Sequence, residues 1–360
     1  MKVSKFASSQ AAKRLRLLSL AIPAALVVAA LSACTPAGAP SDTSATSDNG
    51  GGDGGGGSTS GGEINIVVIG GASDDSFFST VKRGVDDAKR VVEANGGKVT
   101  YLALQNYNNL GPDVAQLIKN ASGQNPSAIV VPDWVPEAED PAIKEVVASG
   151  VPVIIYNAGG MEAAENVGAM TYIGTDEFLA GVAGGEAAGE AGVTKAICVN
   201  TVPGAQNLED RCAGYAEGLS KSGGTSTQLA LPASSFGNQT AVAQAIKAAL
   251  AQDPDVNGMA TVGGSDIDAG LSALQQANAG DIKYVHFNTD TKTLEAIQAG
   301  TVLAGIDQQP YAQGYYSVSA AFQYAAWGIE LPTKPILTGP LVVDKDNVEL
   351  AIDGAKEGVR

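Results

Sequence analysis

The chain has 360 residues, 44% of them hydrophobic and 17% charged, which is enough for two domains with a substantial core. Its 22 basic and 38 acidic groups give a formal net charge of −16, which argues against a nucleic-acid binder because phosphate neutralisation needs clustered Lys and Arg. The single histidine, His286, excludes a multi-histidine metal centre, and no other feature indicates a metal or cofactor.

The N-terminus has the pattern of an export signal. Residues 1–33 carry five basic groups and no acidic one, and their apolar run over 17–31 is shorter than the roughly 20 residues of a membrane-spanning helix. Small residues then precede Cys34, as in the bacterial lipobox, in which the cysteine is lipidated. We predict a lipoprotein signal peptide over 1–33 and lipidation of Cys34. The alternative is an ordinary signal peptide followed by an incidental cysteine.

Residues 34–62 are predicted to be a flexible tether, because apart from Cys34 and Asn49 they are Gly, Ser, Thr, Asp, Ala and Pro and cannot form a core. The chain would then be exported and held by a lipid anchor on the outer face of the cytoplasmic membrane, in the cell envelope. A folded body is expected from about Glu63.

The body alternates short β-rich runs with amphipathic helical patterns. This repeat predicts an α/β fold with parallel sheets, and its two similar sets of elements predict two similar lobes. Expected strands include 64–69, 99–104, 128–131, 151–156, 196–199, 227–231, 258–262, 283–287 and 302–306. Expected helices include 80–94, 178–191, 214–221, 240–251 and 268–277.

The predicted strands end in amides, carboxylates and hydroxyls, with few cations. In open parallel sheets, ligands bind outside the carboxyl ends of the strands. Such side chains can hydrogen-bond many neutral hydroxyl groups. The segments concerned include Asp75-Ser76-Phe77-Phe78, Asp133-Trp134, Asn157-Ala158, Ser265-Asp266 and Asn288. Together with the element order from Glu63 to about Val348, these segments resemble the ribose-type solute-binding proteins of bacterial ABC sugar importers.

The resemblance implies the type I periplasmic binding protein fold, in which two doubly wound, Rossmann-like lobes are joined by a three-crossover hinge. The N-terminal lobe would comprise 63–175 and 309–336, and the C-terminal lobe 176–308 and 337–360. The crossovers are expected near Thr175, Gln309 and Leu337. The lobes of this family close on a sugar.

The resemblance also implies the ligand-binding residues. Aromatic rings would stack on the apolar face of a sugar, and Arg211 would donate to a ring oxygen and a hydroxyl. The implied set is Asp75, Phe77, Phe78, Asp133, Trp134, Asn157, Arg211, Phe236, Ser265, Asp266, Asn288 and Gln308. Asn157-Ala158 stands where the family usually has Asp-Arg, and Asn288 stands where the family usually has an acidic residue. These replacements point to a ligand other than ribose. Alternatively, Phe77 and Phe78 only pack the first helix against the sheet, and Arg211 only forms a surface ion pair with Asp210 or Glu209.

Four features receive structural interpretations. Export favours oxidation, so Cys198 and Cys212 are expected to form a disulfide that holds Arg211 beside a strand end, with two buried thiols as the alternative. His286 is expected in the core. The small residues 181–185 are expected to pack closely on a helix, and Asp290 is expected to cap one.

These observations favour a monomeric, non-enzymatic receptor lipoprotein. It would capture a monosaccharide or polyol and deliver it to the permease of an ABC importer. The alternative is a receptor that presents a sugar or an autoinducer to a membrane signalling protein. A glycoside hydrolase using Asp75 and Asp133 is a third reading, disfavoured because the strand ends show no catalytic pairing.

Overall fold

The computed structural model describes residues 63–360. The predicted signal peptide, Cys34 and the tether lie outside the described residues. No helix within 63–360 is long and apolar enough to cross a bilayer.

Strands and helices alternate along the described chain. The strands are β1 (Asn65–Ala72), β2 (Lys98–Leu104), β3 (Ala128–Val131), β4 (Val153–Tyr156), β5 (Thr171–Thr175), β6 (Lys195–Asn200), β7 (Thr225–Ala230), β8 (Gly258–Thr261), β9 (Lys283–His286), β10 (Ala304–Asp307), β11 (Ile336–Gly339) and β12 (Leu341–Val343). The helices are α1 (Ser76–Ala94), α2 (Leu110–Ser122), α3 (Pro136–Ala148), α4 (Gly160–Val167), α5 (Glu177–Glu190), α6 (Gln206–Ser220), α7 (Gln239–Gln252), α8 (Ile267–Ala277), α9 (Thr291–Ala299), α10 (Pro310–Trp327) and α11 (Glu349–Lys356).

The strands form two six-stranded sheets. The first has the order β11-β5-β4-β3-β1-β2 and is parallel throughout. The second has the order β12-β10-β9-β8-β6-β7, and only its edge strand β12 runs antiparallel. Buried apolar side chains cover the strands of both sheets. This arrangement confirms the doubly wound α/β fold.

The chain passes three times between the sheets. It leaves the first sheet after Thr175, returns between β10 and α10, and crosses again between β11 and β12. The third passage lies at Pro340, beyond the position expected near Leu337, because Leu337 still pairs with Gly174 of β5. We call the first sheet with α1–α4 and α10 the first lobe, and the second sheet with α5–α9 and α11 the second lobe.

Helices α5 and α6 pack so closely that their contact requires glycine. A Cβ atom on Gly181 would lie 2.3 Å from the carbonyl oxygen of Arg211, and one on Gly214 would lie 2.1 Å from that of Phe178. The close-packing interpretation of residues 181–185 is therefore confirmed. The contact brings Glu177, at the start of α5, against the side chain of Arg211.

The predicted start of α6 was wrong. The helix begins at Gln206, two turns before the expected start at Gly214. Its first turns are mostly polar, and Ala205 gives no side-chain cap, so neither periodicity nor capping marks the start. Arg211 and Cys212 consequently lie inside the helix.

Candidate functional site

A cavity lies between the lobes, at the carboxyl ends of the strands. Its volume is about 450 Å³, including the space open to solvent. Both lobes contribute to its lining: Asp75, Phe77, Phe78, Tyr107, Leu110, Trp134 and Asn157 from the first, and Val202, Ala205, Asn207, Leu208, Arg211, Phe236, Gly263 and Gly264 from the second. Its place, outside the carboxyl ends of the strands and between the lobes, suits a small ligand.

Aromatic rings form much of the cavity wall. The Trp134 ring packs edge-on against Phe78, with centroids 5.5 Å apart, and against Tyr107 at 6.3 Å. Phe236 of the second lobe packs edge-on against Tyr107 of the first at 4.6 Å. Phe78 also contacts Phe77. Sequence reasoning missed Tyr107, although the polar residues just before it directly follow β2.

Asp75, which precedes α1, accepts hydrogen bonds from groups of both lobes. Its Oδ1 caps the helix by accepting from the Phe77 amide at 2.9 Å, and it accepts from the Ser265 hydroxyl of the second lobe at 3.0 Å. Its Oδ2 accepts from the Tyr107 hydroxyl at 2.7 Å. Burial raises the pKa of this carboxyl, and the three hydrogen bonds oppose that rise.

Arg211 is buried and held by three acceptors. Its Nε donates to Glu177 at 2.7 Å, one terminal nitrogen donates to the Val262 carbonyl at 2.8 Å, and the other donates to Gln308 at 2.5 Å. A guanidinium has five N–H groups, so two remain for a ligand. The ion-pair partner is therefore buried Glu177, and the alternative of a surface pair with Asp210 or Glu209 is wrong.

Two asparagines add amide groups to the cavity. Asn157 accepts from the Trp134 indole at 3.0 Å and donates to Gln313 at 3.3 Å. Its φ of 63° is left-handed, a conformation that asparagine tolerates better than most residues. Asn207, which sequence reasoning missed, has a buried amide oxygen with no hydrogen-bond partner among the described residues.

Five residues predicted for the site do not line the cavity, but four of them support it. Ser265 holds Asp75, and Gln308 holds Arg211. Asn288 donates to the carbonyl of Gly264, a cavity residue, at 3.0 Å. The backbone amide of Asp266 donates to the carbonyl of Gly263, a cavity residue, at 3.2 Å. Its carboxylate accepts from Thr201 at 2.9 Å, and burial raises its pKa to about 7.

Asp133 is the fifth residue and has a different environment. It is fully buried, neither carboxylate oxygen has a hydrogen-bond partner among the described residues, and it interacts with Asp140 rather than with the cavity. Burial, reinforced by Asp140, raises its pKa to about 7. Asp133, which follows β3, thus does not line the cavity, whereas Trp134, which was also predicted for the site, does line it.

Carboxyl groups also position Trp134. Glu139 accepts from the backbone amides of Trp134 at 2.9 Å and Val135 at 3.1 Å. Burial, with the nearby Asp133 carboxyl, raises the pKa of Glu139 to about 9. The Trp134 carbonyl accepts from the Gln206 amide of the second lobe at 2.8 Å, so this residue too bridges the cleft.

The structural interpretations from the sequence hold. Cys198 and Cys212 form a disulfide with a Cα–Cα distance of 5.7 Å, which ties β6 to α6 one residue beyond Arg211. His286 is fully buried, hydrogen-bonds Thr261 through Nδ1 at 2.7 Å, and has its pKa lowered by burial to about 4. Asp290 caps α9.

The lining carries little unpaired charge. Asp75 and Arg211 are its ionisable residues apart from Tyr107, whose pKa burial raises well above its usual value. Arg211 is paired with Glu177, and Asp75 already accepts three hydrogen bonds. Within residues 63–360, no group of three or more His, Cys, Asp or Glu side chains could hold a metal ion. The cavity can therefore supply stacking surfaces and hydrogen bonds to an uncharged molecule.

Comparison with known proteins gives a family and a fold. A family model for the periplasmic binding protein domain matches residues 66–329. A carbohydrate transporter from Acidothermus cellulolyticus 11B, solved in complex with myo-inositol, is 29% identical, with a TM-score of 0.75 over 83% of this chain and 100% of that one. No curated protein matches the chain significantly.

Two more distant structures share the fold. A glucose-galactose binding protein from Geobacillus stearothermophilus is 21% identical, with a TM-score of 0.68 over 79% of this chain and 99% of that one. A solute-binding protein from Burkholderia graminis C4D1M, in complex with D-arabinose, is 23% identical, with a TM-score of 0.67 over 79% of this chain and 96% of that one. With its two doubly wound lobes and its match over most of the folded body, the chain belongs to the periplasmic binding protein family of non-enzymatic, extracytoplasmic solute-binding proteins.

Proposed function

We propose that this protein captures a monosaccharide or cyclic polyol between its lobes and delivers it to an ABC permease. The observation that carries the proposal is the cavity itself, which combines aromatic rings with hydrogen-bonding groups and whose arginine, Arg211, is already paired with Glu177. A sugar or polyol ring has apolar C–H faces that stack on aromatic rings. Its hydroxyl groups both donate and accept hydrogen bonds.

The comparisons support a cyclic polyol as the first ligand to test. The structure at 29% identity holds myo-inositol, whereas the sugar-binding structures below 25% identity support the fold alone. The replacement of the family's usual Asp-Arg pair by Asn157 and Ala158 also fits a ligand other than ribose.

The membrane anchor and the permease belong to the proposal as well. Cys34 and the residues before it support lipidation, and the 34–62 segment would let the body reach a permease in the same membrane. Lipidation predicts that the wild-type protein fractionates with membranes and that Cys34→Ser releases it. Recovery of the Cys34→Ser protein in the membrane fraction would contradict the anchor.

A thermal-shift screen tests the ligand. The full-length protein would be heated with myo-inositol, D-arabinose, D-glucose, D-galactose, amino acids or an autoinducer-type furanoside. A ligand at about 100 times its Kd should stabilise the fold by roughly 2.7 kcal/mol. Stabilisation by a neutral sugar or polyol, with loss of its uptake on gene deletion, supports the proposal. Stabilisation by the furanoside alone would favour the sensor reading.

A further inference from the structure

A second cavity lies beside the passages between the sheets and shares no lining residue with the cavity described above. We call it the hinge pocket, and its volume is about 800 Å³, including the space open to solvent. It is lined by residues 159–162, Tyr172, residues 175–178, Asp210, Pro335 and Leu337. The start of α4 in the first lobe and the starts of α5 and α6 in the second therefore meet around it.

The lining of the hinge pocket is acidic. Its four carboxyl groups belong to Glu162, Asp176, Glu177 and Asp210, and no Lys or Arg lines it. The pairing of Glu177 with Arg211 leaves the other three charges uncompensated by a lining residue. Helices α4 and α5 begin at the pocket, but a helix N-terminus adds only about half a positive charge. The pocket therefore attracts a cation.

Two buried side chains give evidence that does not depend on this charge. Glu177 is 7% exposed; its Oε2 accepts from Arg211, and its Oε1 has no hydrogen-bond partner among the described residues. The hydroxyl oxygen of Thr175, a residue that is 1% exposed, likewise has no partner there. Both residues line the hinge pocket, and most buried polar atoms in native proteins have a partner. A ligand that donates N–H groups would supply one.

We propose that the hinge pocket binds an aliphatic diamine or polyamine, at a site separate from the sugar cavity. Ammonium groups supply both the positive charge and the N–H donors that the lining lacks. The methylene chain of such an amine would pack on Met161, Phe178 and Leu337, of which Phe178 is 42% and Leu337 54% exposed. The Phe178 ring also attracts an ammonium group.

The arrangement of the carboxyl groups disfavours a bare metal ion as the ligand. Within residues 63–360, no group of three or more His, Cys, Asp or Glu side chains could hold one. The carboxyl groups nevertheless act on each other at longer range. Burial raises the pKa of Asp210, and the nearby Asp176 adds to that rise. An extended cation can relieve such repulsion without drawing the carboxyl groups together.

Calorimetry on the full-length protein tests the site with putrescine and spermidine at physiological ionic strength. Asp210→Asn removes a half-buried charge and should weaken amine binding roughly tenfold. Glu162→Gln removes an exposed charge of the first lobe and should weaken it a few-fold. Glu217→Gln makes the same change at an exposed position of α6 outside the pocket and should bind like the wild type.

A second pair of variants tests the apolar wall. Phe178→Ala should weaken amine binding several-fold, whereas Leu179→Ala should not, because Leu179 is 51% exposed beside Phe178 on α5 but does not line the pocket. Both positions are at the surface, so neither variant should unfold the protein. Glu177 is kept, because it holds Arg211 in the other cavity.

Four outcomes would overturn the inference. They are the absence of amine binding, full affinity in Asp210→Asn and Phe178→Ala, an equal loss in Glu217→Gln, and displacement of the amine by MgCl₂ at matched ionic strength. An equal loss in Glu217→Gln would indicate general attraction to an acidic chain, and displacement by MgCl₂ an ordinary counter-ion site. Sugar binding is measured separately, so each of these outcomes leaves the proposed function intact.

Discussion

Arg211 is fixed before any ligand arrives, because three protein groups hold its guanidinium from different directions. Glu177 follows the first passage between the sheets, Gln308 lies at the second, and Val262 directly follows β8. This cavity-lining side chain is therefore also bonded to residues beside two of the passages between the sheets. This arrangement orients the two remaining N–H groups at no entropic cost during binding.

Replacing Arg211 by lysine should show that the planar guanidinium contributes to sugar binding beyond its charge. Lysine keeps a positive charge for Glu177 but cannot bond Val262, Gln308 and a ligand with the same geometry. We expect Arg211→Lys to weaken sugar binding at least about tenfold by calorimetry, which corresponds to ~1.4 kcal/mol. Arg83→Lys, at a half-exposed position of α1, is the matched control and should bind normally. Equal affinity of Arg211→Lys and wild type would mean that the guanidinium does not touch the ligand.

Asp133 should make the fold less stable as pH rises. Its pKa is raised from 3.8 to about 7, so the folded state binds more protons than the unfolded state between those values, and the free energy of unfolding falls across that window. Asp133→Asn mimics the protonated form. It should raise the free energy of unfolding by roughly 1–4 kcal/mol at about pH 8 and change it little near pH 4. Denaturant titrations at the two pH values measure this, and equal effects at both would contradict it.

At the scale of helices and strands, the contact between α5 and α6 places the Glu177–Arg211 pair. Gly214→Ala would put a methyl group 2.1 Å from a carbonyl oxygen of α5, so the helices must separate. We expect a loss of several kcal/mol of stability, about the cost of strong overpacking, together with weaker sugar binding. Gly280→Ala is the control, since its Cβ meets open space, and it should leave the melting temperature nearly unchanged. If Gly214→Ala left both the stability and the sugar binding unchanged, α6 would be able to shift without cost.

The strands were predictable from sequence because parallel strands buried on both faces appear as continuous apolar runs. The direction of a side chain at a strand end was not, and Asp133 shows why. Asp133 and Trp134 both follow Val131, the last residue of β3, so the alternation of strand faces no longer fixes which of their side chains meets the cavity. The late predicted start of α6 hid a second feature, since Asn207 then lay in a loop rather than one turn from Arg211. Both errors concern placement within a correctly predicted element order.

At the scale of the whole molecule, the lobes touch across the ligand cavity. Ser265 bonds Asp75, Gln206 bonds Trp134, and Phe236 packs on Tyr107. These contacts describe a closed arrangement in which the cavity lies between the lobes. A ligand that touches both lobes would favour this arrangement by its differential affinity for it.

A disulfide across the cleft can measure how strongly a ligand favours closure. The hydroxyl oxygens of Ser76 and Ser265 lie 3.2 Å apart and belong to opposite lobes, so cysteines at both positions should meet only in the closed form. We expect Ser76→Cys/Ser265→Cys to cross-link under mild oxidation several-fold faster with its ligand than without it. Non-reducing electrophoresis follows the bond, and Ser76→Cys/Ser222→Cys should not cross-link within one molecule. Equal rates with and without ligand would show that the lobes close unaided, and binding would then select a state that already dominates.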